Sequence, residues 1–174
     1  MSTLLLFSGG IESTALAFWK RPDLLLHIDY GHLAAQGELR AARAIATRIN
    51  LPLNELRADC STIGSGALAG RPAALPAPAS SWWPFRNQLL ITLGAAFALN
   101  HGIDTLLLGS VASDRLYLDG TANFVNCLRE LLGLQEGHIC LEAPAISLTT
   151  NQLIQQSKIP CSLLAWGGIT RSCV

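Results

Sequence analysis

Neither sign of charge is in excess in this sequence: 12 Lys and Arg stand against 12 Asp and Glu, and charged residues make up only 14% of the chain. Without a basic surplus, binding to nucleic acid or to an anionic membrane through a positive patch is disfavoured. The longest apolar stretch, Leu89 to Leu99, falls well short of the ~20 residues that a membrane-spanning helix needs. Met1 opens onto a short apolar segment before Ser8, with no basic leader and no small-residue cleavage site, so the expectation is a soluble, cytoplasmic protein. Cysteines are few and scattered, at 60, 127, 140, 161 and 173. None forms the two-residue spacing with which a knuckle presents two thiolates to zinc, and an odd count in a chain with no export signal points to reduced, mostly buried thiols.

What is present is apolar and alternating. Half of the 174 residues are hydrophobic, enough for one substantial core, so a single domain over residues 1–174 is expected. Leu4 to Phe7 reads as a buried strand ended by Gly9-Gly10, and Ile11 to Lys20 follows with helical spacing. The unit repeats: Leu24 to Ile28 as a strand ending at Asp29, then Gln36 to Ile49 as a helix, with Leu51 to Leu56 as a further strand. Residues 61–81, rich in Gly, Ala, Pro and Ser, read as a long loop. Helix Asn87 to Leu99, strand Thr105 to Leu108, helix Ala122 to Leu132 and a weak strand Ile139 to Leu141 come next, and Thr149 or Thr150 would cap a last helix. Such alternation predicts an α/β fold: a doubly wound, mainly parallel, Rossmann-like sheet with ligands bound beyond the carboxyl ends of its strands. Ser8, Asp29 and Gly109 fall at such ends.

The segment with the clearest chemistry is Phe7-Ser8-Gly9-Gly10-Ile11-Glu12-Ser13-Thr14. It lacks the Lys of the Walker loop and the third glycine of the dinucleotide fingerprint. It does bring two glycines, three hydroxyls and the free N–H groups of a helix start to one turn, a set suited to a pyrophosphate. An ordinary strand-to-helix turn with hydroxyl caps is the plainer alternative.

This loop resembles the PP-loop signature of ATP pyrophosphatases. Taken with Asp29-Tyr30-Gly31-His32, Phe85-Arg86-Asn87, Gly109-Ser110-Val111-Ala112-Ser113-Asp114, Asp119-Gly120-Thr121-Ala122-Asn123-Phe124 and Glu142-Ala143-Pro144-Ala145-Ile146, it resembles the 7-cyano-7-deazaguanine synthase family over about residues 3 to 166. The resemblance implies a PP-loop, adenine nucleotide alpha hydrolase-like fold and an ATP- and Mg²⁺-dependent carbon–nitrogen ligase. Such an enzyme adenylates 7-carboxy-7-deazaguanine, lets ammonia displace AMP, and dehydrates the amide to the nitrile with a second ATP. By position, Ser8, Gly9, Gly10, Ser13, Thr14 and Gly109 would hold the nucleotide, with Ser8, Glu12 and Arg86 at the reacting phosphates. Asn87, Asp114, Asp119 and Phe124 would meet the deazaguanine. The aspartates can equally be turn formers and Phe124 plain core, and His32 either touches substrate or organises its loop.

Two departures from that family stand out. Glu12 occupies the place of an Asp, and Cys173 is followed only by Val174 where relatives carry a cluster of zinc-binding cysteines. The zinc site is therefore expected to be lost, residues 167–174 being an atypical tail, with a possible homodimer anchored by Trp82, Trp83 or Trp166 as compensation. The partners implied are a small deazaguanine acid and ammonia. Two further readings stay open: a relative, of a phage-defence kind, that joins the activated base to a protein amine, and a catalytically weak nucleotide-binding protein. Adenylation of tRNA is disfavoured by the neutral charge.

Overall fold

The computed structural model describes residues 1–113 and 116–163. Five strands form one parallel sheet: β1 (Thr3–Leu6), β2 (Leu24–Asp29), β3 (Leu53–Arg57), β4 (Thr105–Leu107) and β5 (Cys140–Glu142). Their spatial order is β3-β2-β1-β4-β5, with Leu4 paired to Leu24 on one side and to Leu106 on the other. The chain grows outward from β1 in one direction and then the other, which leaves a crevice at the carboxyl end of β1, between β2 and β4.

Both faces of the sheet are covered, as the continuous leucine runs of β1 and β2 require. Leu4, Leu26 and Leu106 pack against α3 (Arg86–Asn100) and α4 (Ala122–Gly133) through Ile91, Ala95, Val125 and Leu128. Leu5, Leu25 and Leu107 face α1 (Ile11–Lys20) and α2 (Ala35–Ile49) through Leu16, Ala42 and Ile45. Successive strand residues point to opposite faces, so a strand buried on both sides has no polar alternation to show. Asp29, Asp104 and Arg57 mark the places where strands reach water or loops.

The last helix, α5 (Thr150–Ser157), begins in a capping box: the Thr149 side chain accepts from the Gln152 N–H, and the Gln152 side chain accepts from the Thr149 N–H. Thr149 is thus the cap, and Thr150 is the first helical residue. The 61–81 segment contains two single 3₁₀ turns, Ser61–Ile63 and Ala67–Ala69, and is tied down from its end. Trp83 is only 1% exposed and meets Tyr30 edge to face, with ring centroids 4.9 Å apart. This corrects the reading of Trp83 as an exposed dimer anchor: its ring fills the space between Tyr30 and Leu68, and an aromatic of that size finds more apolar area there than at a surface. Trp166, the tail 167–174 and Cys173 lie outside the described residues. Among the described residues, no helix is long and apolar enough to cross a membrane.

Candidate functional site

The turn between β1 and α1 is shaped by Gly9. Its φ of +78° is left-handed, and a Cβ there would come within 2.8 Å of the Ala42 backbone nitrogen. Any side chain would be strained and would collide with α2, so glycine lets the turn lie flat against that helix. Ser8 Oγ accepts from the Gly10 N–H at 3.2 Å, and Ser13 Oγ donates to the Gly10 carbonyl at 3.1 Å. The two hydroxyls lie 3.4 Å apart. No side chain caps the start of α1. The first N–H groups of that helix therefore have no intrahelical acceptor, and its positive dipole end is left for an external anion.

That helix start opens on a cavity of about 390 Å³ at the carboxyl edge of the sheet. It is lined by Ser8, Gly10, Glu12 and Ser13 from the turn and start of α1, by Arg86 and Asn87 from the start of α3, and by Gly109 and Ser110 after β4. Residues from separate segments thus converge where the strand order reverses. Arg86, the first residue of α3, makes no ion pair with any described residue. Its guanidinium lies over the Tyr117 ring, 5.7 Å from the centroid. Glu12 Oε1 accepts from Thr150 Oγ1 at 3.0 Å.

The remaining expected site residues are distributed more widely. Thr14 is fully buried inside α1, with its hydroxyl among core atoms. Asp119 is bound to Asn87 twice: its Oδ2 accepts from the Asn87 N–H at 3.1 Å, and its carbonyl accepts from Asn87 Nδ2 at 2.9 Å. The pair fixes the start of α3 against the loop after β4. Phe124 packs on the α3 and α4 core. Asp114 lies outside the described residues. His32 is buried, stacked on Tyr30 at 4.0 Å, with Nε2 donating to Glu38 Oε2 at 3.1 Å. In this arrangement His32 organises the end of β2, while Glu38 and Tyr30 reach the cavity wall.

His27, on β2, donates from Nδ1 to the Phe7 carbonyl at 3.3 Å. Burial pushes its pKa below the ordinary value, against the smaller upward pull of the Phe7 carbonyl and of Glu38. Tyr117 and Thr150 are cavity residues that the sequence reading did not single out as functional. Tyr117 sits in a turn-rich stretch beside Asp119, and Thr150 was visible only as a capping candidate.

No three His, Cys, Asp or Glu side chains among the described residues are grouped to hold a metal ion. Cys60, Cys127, Cys140 and Cys161 are free thiols.

A sequence model of the family described as "Queuosine biosynthesis protein QueC" matches residues 2–166. The chain is 28% identical over 170 residues to the 7-cyano-7-deazaguanine synthase of a Nitratiruptor species, covering 89% of this chain and 77% of that protein. It is 30% identical over 166 residues to 7-cyano-7-deazaguanine synthase 1 of Desulfitobacterium hafniense, covering 88% and 74%. A match that runs through every strand of the sheet and the lining of the cavity places the chain in the QueC, or 7-cyano-7-deazaguanine synthase, family, as a PP-loop ATP-dependent carbon–nitrogen ligase.

Proposed function

We propose that the protein activates the carboxylate of a 7-deazaguanine acid, 7-carboxy-7-deazaguanine, by adenylation and carries it through the amide to the nitrile. The observation that carries this reading is that the uncapped start of α1 and Arg86, whose cation no described carboxylate pairs, line one cavity. A carboxylate is a poor electrophile because its carbon has no good leaving group. Attack of a carboxylate oxygen on the α-phosphorus of ATP, with release of pyrophosphate, supplies one as AMP. Ammonia then adds at the acyl carbon, AMP departs and the amide remains. The amide oxygen then attacks the α-phosphorus of a second ATP with release of pyrophosphate, and departure of AMP carrying that oxygen, with loss of the amide N–H protons, leaves the nitrile.

The side chains on the cavity wall fit an extended polyphosphate. The N–H groups at the start of α1 and the Ser8 hydroxyl would donate to anionic oxygens, and the Ser13 hydroxyl would join them by turning its proton away from the Gly10 carbonyl. The Arg86 guanidinium offers further donors and a full charge that no described carboxylate neutralises. These groups are held by the fold before any ligand arrives, so charge that develops on phosphate oxygens meets oriented dipoles. Mg²⁺ would supply Lewis-acid stabilisation of the leaving pyrophosphate when bound, with Glu12 as the carboxylate nearest the loop. Asn87 and Asp119 would act on the acid indirectly, by fixing the start of α3.

The decisive experiment is mass-resolved detection of AMP, pyrophosphate and the deazaguanine product from ATP, Mg²⁺ and ammonium, with and without 7-carboxy-7-deazaguanine. AMP release that requires the acid, accompanied by amide or nitrile, is the expected result. ATP binding with no acid-dependent AMP would overturn the substrate assignment.

A further inference from the structure

Arg86 poses a physical problem that the adenylation reading leaves unsolved. A long, flexible cation at a cavity wall must be held in place to be useful. The usual partner, a carboxylate, would hold it only by neutralising it and occupying the donors that phosphate needs. Among the described residues no such partner is present. The group that does meet it is an aromatic face: the guanidinium lies 5.7 Å from the centroid of Tyr117, inside the range in which a ring attracts a cation. A ring restrains the plane of the guanidinium and leaves its charge and its edge N–H groups free.

Tyr117 is itself held firmly. It is only 7% exposed, and its hydroxyl is 2.9 Å from Ser81 Oγ, 36 residues away in the segment that precedes α3. Asp119, two residues further on, is fastened to Asn87, the neighbour of Arg86, through both a side-chain and a main-chain acceptor. The ring and the cation are thus carried by two segments that are cross-linked on either side of the contact. Both residues line the cavity.

We propose that Tyr117 is the positioning residue that presents Arg86, still charged and with its donors free, to the phosphates of ATP, and that Ser81 fixes the ring by its phenol. This rests on the reading of Arg86 as a phosphate-binding group and requires nothing of the acid substrate.

A double-mutant cycle on ATP binding tests it, using calorimetry on the full chain with Arg86→Ala, Tyr117→Leu and the double variant. Arg86→Ala and Tyr117→Leu should each weaken ATP by about tenfold, the size expected for a well-placed cation–aromatic contact and its phosphate bond. The double variant should then be no weaker than Arg86→Ala alone. Tyr117→Phe and Ser81→Ala, which keep the ring but release its hydroxyl anchor, should each weaken ATP by about threefold, a loss that disappears when Arg86 is Ala, and they carry the test in the case in which Tyr117→Leu fails to fold. Losses that simply add, or a Tyr117→Leu variant that binds ATP like the parent, would overturn the proposal. A merely structural role for Tyr117 would lower the thermal midpoint equally in both Arg86 backgrounds without this coupling. If acid-dependent AMP release is absent in the parent protein, the substrate assignment fails, while the binding cycle still decides the role of Tyr117.

Discussion

Thr150 and Glu12, 138 residues apart, are joined by a hydrogen bond in which Thr150 Oγ1 donates to Glu12 Oε1 at 3.0 Å. The first turn of α5 is thereby fastened to the first turn of α1, the helix whose free end faces the cavity. Ser113 Oγ lies 3.1 Å from the same Thr150 oxygen. Since that hydroxyl proton goes to Glu12, Ser113 is the donor to Thr150, and a chain of hydroxyls runs from the loop after β4 to the carboxylate. Because Thr149 serves as the cap, Thr150 is free for this second task.

Thr150→Val keeps the shape and removes the donor. Urea unfolding should show a loss of about 1 kcal/mol, the usual net worth of such a bond. The carboxylate of Glu12 then loses the bond that fixes its position, so ATP with Mg²⁺ should bind several-fold more weakly, read by calorimetry. Unchanged ATP affinity would mean that the bond serves only to dock α5.

Phe85, immediately before Arg86, is a bulky residue in the left-handed region, with φ +54° and a side chain 74% exposed. Its ring gains little from burial, whereas its backbone bears the steric cost of that conformation. Phe85→Gly should therefore raise stability by about 0.5–1 kcal/mol, the relief of the left-handed penalty less the extra freedom of glycine in the unfolded chain. Chemical denaturation measures this directly, and a loss would show that the ring makes a contact worth more than the strain.

Acid sensitivity should come from His27. Its folded pKa lies below the ordinary 6.5 because burial disfavours the charged ring; the Phe7 carbonyl, Glu38 and Asp29 pull the other way, and His32 adds to the lowering. Between the folded value and 6.5 the unfolded chain binds more protons than the folded one, so stability rises with pH there. The contribution is fully present above 6.5 and is lost as pH falls through that value toward the folded one. Asp23, Glu55 and Asp59 also have lowered pKa values, but their ordinary values of 3.8, 4.5 and 3.8 place their effects at more acid pH. Urea midpoints at about pH 7.5 and about pH 5.5 should differ in the parent protein, and His27→Leu should flatten that difference.

The order of strands and helices was legible in the chain itself. Buried leucine runs, helical spacing in α2 and α4 and the glycine pair after β1 are signals carried within a few residues, which is the range over which backbone torsions and side-chain periodicity act. The same holds for the turn between β1 and α1, whose hydroxyls and glycines are contiguous, and for the start of α5, where Thr149 and Gln152 cap one another within a single turn. What the tertiary structure alone decided is which distant groups meet. Asn87 on Asp119, Arg86 over Tyr117 and Thr150 on Glu12 are pairs far apart in the chain, and no local pattern says which partner each will meet. Trp83 was a candidate surface anchor in the sequence, yet the end of β2 offered it a buried place against Tyr30. Local chemistry determined the pieces and the glycine turn after β1. The strand order β3-β2-β1-β4-β5 then brought the remote side chains to one edge of the sheet, because contact between distant residues depends on how the chain closes its loops, which short-range torsional preferences do not encode.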